Sequence, residues 1–216
     1  MSRVLIFGGH GKIALRLAPL LVERGDVVTG VIRNPDHADD VAATGAIPLI
    51  ADVEHLDAAA LGDVVQGQDA VVWSAGAGGG SPERTYAVDR DAAIRSMEAA
   101  KAEGVSRYVM VSYLGARPDH GVSEGSSFFA YAEAKAAADE HLRASELDYT
   151  ILQPGPLTLD EPTGLIEVAD PGDGRVARAD VAGVIAAVLA DGGTVGRTIA
   201  FGNGGTPIAK AVSARS

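Results

Sequence analysis

No cysteine occurs in the 216 residues. That excludes disulfides, a thiolate nucleophile and cysteine-ligated zinc. Aromatic residues make up only 5% and include a single tryptophan, so the core must be built from aliphatic side chains and alanine. No apolar run approaches the roughly 18 residues of a membrane-spanning helix. Met1-Ser2-Arg3 leads straight into a short apolar run, too short for a signal peptide and with no small-residue cleavage site after it. A soluble cytoplasmic protein is the expectation. Basic charge is outnumbered, with 18 Lys and Arg against 29 Asp and Glu for a net charge of −11. An acidic surface repels nucleic acid and anionic membranes, so neither is expected as a partner, and any bound phosphate needs a local site. The five histidines have no helical ligand spacing, and the acids of 160–173 lack EF-hand spacing, so no metal is expected.

What is present is apolar sequence in short runs. Val4–Phe7, Val27–Ile32, Ile47–Ile50, Ala70–Trp73, Tyr108–Val111 and Tyr149–Leu152 are rich in Val and Ile and do not alternate. Such runs predict buried strands of a parallel sheet covered on both faces. Helical stretches separate them. Ile13, Leu17, Leu20 and Leu21 share one helix face, as do Ala134, Ala138 and Leu142, and a longer helix in 82–103 is ended by Gly104. The fold class expected is α/β: a doubly wound parallel sheet in a three-layer αβα arrangement, with residues 1–216 forming one domain. After Gln153 the texture turns to Pro, Gly and Asp. A short strand near Leu165–Val168, a helix starting near Asp180 and a last strand at Thr198–Phe201 follow, and 154–178 with 198–216 are expected to form a small cap on the substrate side.

"FGGHGKIA" joins the first strand to the first helix, the context of a dinucleotide-binding loop. Gly8 allows the tight turn. Gly9 and Gly11 let backbone approach a pyrophosphate, and Ala14 is small enough for close helix–strand packing. The match runs as Gly9-x-Gly11-x-x-Ala14 or as Gly8-x-x-Gly11-x-x-Ala14, and spacing does not choose between them. His10, Lys12 and Ile13 complete the loop at the helix N-terminus, where N–H groups and partial positive charge face phosphates. His10 either approaches a phosphate or lies exposed. At the end of the second strand an NAD site usually places an acid for the ribose 2′-hydroxyl. No acid occurs from Val27 to Pro35, and Arg33 stands there instead. A guanidinium pairs with a 2′-phosphate and cannot accept from a hydroxyl, which favours NADP over NAD. Asp52-Val53 after the third strand either meets the adenine or caps the next helix. Ser74, Ala75 and Gly76, after the fourth, open a loop of small residues that can pass close to a cofactor. Trp73 reads as core.

Tyr131-x-x-x-Lys135 puts a phenol and an ammonium on one helix face. A lysine there lowers the phenol's pKa and holds a ribose hydroxyl, while the phenol exchanges a proton with a carbonyl or alcohol as hydride moves to or from nicotinamide. Ser112, ending the fifth strand, is placed to hydrogen-bond the same substrate oxygen.

Together, "FGGHGKIA", "ADV", Tyr131-x-x-x-Lys135 with "KAAADEHLRASELDYTILQPGPLT", and "VARADVAGVI" resemble the short-chain dehydrogenase/reductase superfamily, and more closely its small atypical, extended branch of NAD(P)-binding reductase- or epimerase-like proteins. The resemblance implies a Rossmann-like fold and a pyrophosphate held by the glycine loop. It implies an NADP-marking Arg33, catalytic Ser112, Tyr131 and Lys135, and a cofactor contact at Pro154. Two positions depart from the pattern. Tyr113 stands where extended members often carry a second Ser or Thr, so the serine role falls to Ser112, to Ser126 or Ser127, or to none. Gln153 stands where this branch often has arginine. The expectation is an NADP-dependent oxidoreductase acting on a small carbonyl or alcohol, as monomer or homodimer. The alternatives are a catalytically weak NADP(H) sensor, as some members with an incomplete triad are, or an NAD-dependent epimerase or dehydratase.

Overall fold

A computed structural model describes residues 1–78, 81–168 and 174–214. All six apolar runs are strands: β1 (Arg3–Phe7), β2 (Val27–Ile32), β3 (Ile47–Ile50), β4 (Ala70–Trp73), β5 (Arg107–Val111) and β6 (Asp148–Pro154). Between them lie α1 (Ala14–Glu23), α2 (Ala38–Ala42), α3 (Ala58–Val65), α4 (Pro82–Thr85) and α5 (Ala93–Ala102), the last two joined through a π-helical segment, Tyr86–Ala92. The helix α6 (Phe129–Ala144) leads into β6. The remainder holds β7 (Leu157–Thr158), β8 (Leu165–Val168), β9 (Val176–Ala177), α7 (Arg178–Ala190), β10 (Arg197–Asn203), β11 (Thr206–Pro207) and α8 (Ile208–Ser213).

The main sheet has the order β11-β8-β10-β6-β5-β4-β1-β2-β3, parallel from β10 to β3. This is the Rossmann-like, doubly wound α/β class. Antiparallel β8 and β11 extend the β10 edge. The last strand thus lies within the sheet rather than over it, and α8 packs against α7. Within 154–178, β7 and β9 form a separate two-stranded ladder, while residues 169–173 lie outside the described residues. The late helix begins at Arg178, and Asp180 does not cap it. Its buried carboxylate accepts from the N–H groups of Thr163 (3.0 Å) and Gly164 (2.8 Å), pinning the preceding loop to α7.

The absence of alternation has a direct cause. In β1, Val4 and Ile6 pack with Leu17, Leu21 and Val184 on one side, while Leu5 and Phe7 pack with Leu61, Met97 and Leu142 on the other. Both faces are therefore apolar. Two expectations fail at the periphery. Leu20 points away from the α1 core face and is 41% exposed. β3 is an edge strand, with Ile47 and Ile50 more than half exposed, not a buried one. Trp73 is fully buried against Phe7, as core. No described helix is long and apolar enough to cross a membrane.

Close backbone contact fixes the ends of β1 and β2. Gly9 donates its N–H to Val31 O at 2.8 Å, and a Cβ on Gly9 would stand 2.7 Å from Gly30 backbone atoms. Gly9 is thus required by strand packing rather than by ligand approach. Gly9→Ala should cost about 1–3 kcal/mol through overpacking, lowering Tm by about 2–4 °C per kcal/mol. Gly192→Ala, where a Cβ meets open space, should leave Tm unchanged. Thermal denaturation followed by circular dichroism checks both; equal melting of the two variants contradicts the contact.

Candidate functional site

The strand order reverses between β1 and β4, so their C-terminal ends open a crevice. The glycine loop fills its floor. Gly8 takes φ +81° and lies so close to the next loop that a Cβ would stand 2.8 Å from Ala75 Cα. Gly11 closes the turn by donating to Gly8 O at 2.8 Å. No side chain caps α1; Leu15 donates to Gly11 O and Arg16 to Ile13 O, which leaves the N–H groups of Lys12, Ile13 and Ala14 without an acceptor among the described residues and so for a ligand.

Two cavities meet above this loop. The first, about 870 Å³, is lined by Lys12, Ile13, Asp89, Ser112, Ser127, Phe128, Tyr131, Lys135, Leu157 and Arg178 among others. The second, about 460 Å³, is lined by Gly8, His10, Arg33, His37, Asp52, Val53, Glu54 and Arg84 among others. Gly11, Ser74, Ala75, Gly76 and Gly78 border both. This two-part crevice with its waist at a helix N-terminus suits a dinucleotide whose pyrophosphate lies at the waist. Of the residues expected at a cofactor, Gly9 and Pro154 line neither cavity. Pro154 is buried in β6, with its carbonyl accepting from Leu114 N–H.

In the second cavity Arg33 is half exposed, its Nη1 3.9 Å from Glu54 Oε2. Arg84 donates from Nε to the same oxygen at 3.1 Å and from Nη1 to Ala77 O at 2.6 Å. Two guanidiniums thus share the Glu54 carboxylate, with Asp52 the other acid lining this cavity. Glu54 was not singled out from the sequence, although it follows Asp52-Val53 directly, because its approach to Arg33 and Arg84 is a tertiary contact. Asp52 folds its own turn, accepting from Glu54 N–H (3.2 Å) and pairing with His55 (3.1 Å). The next helix is capped by Asp57 instead, which accepts from Ala60 N–H. The His10 ring stacks on His37 with centroids 3.7 Å apart and hydrogen-bonds Asp40.

In the first cavity the phenol and ammonium are joined by two carboxylates. Lys135 is 1% exposed; its Nζ donates to Val111 O (2.7 Å) and Met110 Sδ (3.2 Å). Burial pushes its pKa down, against the pull of Asp139 and Asp89. Ser112 donates its hydroxyl proton to Asp139 Oδ2 at 2.6 Å. Asp89 accepts from Ala77 N–H at 2.9 Å, and Gly76 leaves room for it, since a Cβ there would stand 2.9 Å from Asp89 Oδ1. Burial raises both carboxyl pKa values, Lys135 opposing. The Tyr131 phenol is pushed well above its ordinary value, first by burial and then by Asp89 and Asp139. This reverses the expectation that the lysine lowers it: the phenol is held protonated.

Tyr113 packs its ring against Phe128 and Tyr131, and its hydroxyl is buried without a partner among the described residues. Of the other serines, Ser127 lines the cavity, while Ser126 Oγ accepts from Phe128 N–H in the turn before α6. Gln153 donates to Ala116 O and is buried. Asp139 had a sequence signal, lying four residues beyond Lys135 on the same alanine-rich face. Asp89 had none. It is positioned by the π-helical segment, a geometry that recurs at functional sites.

A family model described as NAD(P)H-binding matches residues 8–192. The chain is 34% identical over 218 residues to UPF0659 protein YMR090W of Saccharomyces cerevisiae, with 96% of each covered. It is 33% identical over 213 residues to the uncharacterized sugar epimerase YhfK of Bacillus subtilis, with 97% of this chain and 98% of that protein covered. In three dimensions it matches a Bacillus halodurans protein provisionally assigned as an NAD-dependent epimerase/dehydratase, at TM-score 0.89 and 34% identity, with 98% and 99% covered.

Lys135→Met leaves two buried carboxylates without their cation and should cost about 3–5 kcal/mol. Both acids are held above their ordinary pKa, so the folded chain binds protons that the unfolded chain has released. The resulting stabilisation is present below the ordinary carboxylate range and is lost as pH rises through the raised values. The variant's deficit should therefore be larger at pH 8 than at pH 5. Urea unfolding at both values measures it, and a pH-independent deficit contradicts the coupling.

Proposed function

This chain belongs to the NAD(P)H-binding family, and on that premise we propose that it is an NADP-dependent oxidoreductase acting on a small carbonyl or alcohol. One observation carries the reading: Tyr131 and the buried Lys135 open onto the same cavity as the glycine loop. The residues present fit the cofactor. The N–H groups at the start of α1 and the Lys12 ammonium would hold its pyrophosphate, Arg33 with Arg84 its 2′-phosphate, and Asp52 and Val53 its adenine. When bound, the nicotinamide supplies or accepts hydride.

The chain's own part is proton management. Tyr131 carries its proton at neutral pH and lines the cavity, so it is placed to donate to a carbonyl oxygen, although burial and two acids make it a weaker acid than a free phenol. Lys135 uses two of its three protons on Val111 and Met110, which leaves one for a ribose hydroxyl. Ser112 has one proton, and Asp139 holds it. The serine then offers only lone pairs to a substrate. With Asp139 protonated, that acid donates to Ser112 and frees its hydroxyl to donate onward.

Glu54 favours a second reading. A carboxylate beside Arg33 is an acceptor for a ribose 2′-hydroxyl, as an NAD-dependent epimerase would use. The relative named as a sugar epimerase points the same way.

Calorimetric titration with NADPH and NADH separates the two. NADPH should bind more tightly, and Arg33→Ala should weaken NADPH about 10- to 100-fold, as loss of charge-assisted bonds does, with little effect on NADH. A preference for NADH, or none, selects the second reading. In Tyr131→Phe, NADPH affinity should persist while kcat on any aldehyde or ketone that wild type reduces falls about 10²- to 10⁴-fold. Undiminished kcat rules out Tyr131 as the proton donor.

A further inference from the structure

One cation in the first cavity is given no role by the reading above. Arg178 opens α7, directly after β9. Its guanidinium is anchored on one side, Nη1 donating to Leu157 O at 3.1 Å and Thr158 O at 3.0 Å. Those bonds use both Nη1 protons and set the plane of the group. No described residue accepts from Nε or Nη2, and no described carboxylate forms an ion pair with it. The acids nearest in role are engaged: Asp89 with Ala77 N–H and Lys135, Asp180 with Thr163 and Gly164. A half-buried, oriented guanidinium without a counter-ion among the described residues has a free donor edge there that matches a carboxylate. Part of the same cavity's lining is apolar. Phe128 is 42% exposed although it is a large aromatic, and Leu157 and Pro82 add to that wall.

We propose that Arg178 is the substrate anchor and that the substrate is a carbonyl compound with an apolar or aromatic body and a carboxylate, the carboxylate held by Arg178 and the body lying against Phe128 and Leu157. This rests on the oxidoreductase reading above. The carbonyl carbon receives hydride from reduced nicotinamide, and the carbonyl oxygen receives the Tyr131 proton. The alcohol and oxidised nicotinamide leave, and the phenolate regains a proton from solvent.

Calorimetry with 4-formylbenzoate and its neutral methyl ester, each titrated into the apo protein and into protein saturated with NADP⁺, tests this. Wild type should bind the acid at least about tenfold more tightly than the ester, the value of a bond to a charged group. Arg178→Gln, which can still donate to Leu157 O, should lose that preference while keeping its affinity for the ester and for NADPH. Arg178→Lys should retain part of the preference. With the acid as substrate, Arg178→Gln should raise KM more than it lowers kcat. The proposal is overturned if wild type binds acid and ester equally or does not bind the acid. It is also overturned if Arg178→Gln weakens NADPH and spares the acid, which would assign the arginine to the cofactor. The wild-type comparison stands even if a variant fails to fold. Absence of NADPH binding by wild type would instead fault the oxidoreductase reading, and an acid preference in the apo protein would still establish the anion site.

Discussion

Lys135 carries an ammonium group to a place that solvent scarcely reaches, and much of the site is arranged around that fact. A lone buried cation is untenable at several kcal/mol. Here it is bracketed by Asp89 and Asp139 and bonded to Val111 O and Met110 Sδ. Those partners come from the π-helical segment, α6 and β5, so one charge ties three elements together. Asp89 in turn holds Ala77 N–H and stands against Gly76, which carries the constraint into the loop beside the glycine turn. Both cavities border on that loop.

The acids that keep the lysine in place also act on the phenol. They raise the Tyr131 pKa and so favour the protonated form at neutral pH. In a more exposed Tyr–Lys pair the ammonium would dominate and the phenolate would be easier to reach. Here burial is the larger effect, and it makes the Tyr131 phenol a weaker acid than a free phenol. Ser112 is subordinate to the same acids, because its hydroxyl proton is committed to Asp139.

The overall charge is strongly acidic, yet the crevice collects Lys12, Arg33, Arg84, Arg178 and a helix N-terminus. Local geometry reverses the global field where a phosphorylated ligand would lie. Glu54 moderates this in the second cavity, where it stands against both Arg33 and Arg84.

The sequence alone determined the order of elements and the place of the crevice. Unalternating Val- and Ile-rich runs demand two covered faces, and a glycine turn between strand and helix has few uses. It also brought Tyr131 and Lys135 to one helix face, since a four-residue spacing is a local property. It did not reach the exposure of β3, the reason for Gly9, the tether on Ser112 or the sign of the Tyr131 shift. Nor did it single out Asp89, Glu54 and Arg178, which come from separate segments and reach the crevice only when the sheet is wound. Exposure, charge pairing and pKa depend on what lies across a contact, and for these residues the far side of the contact is remote in sequence.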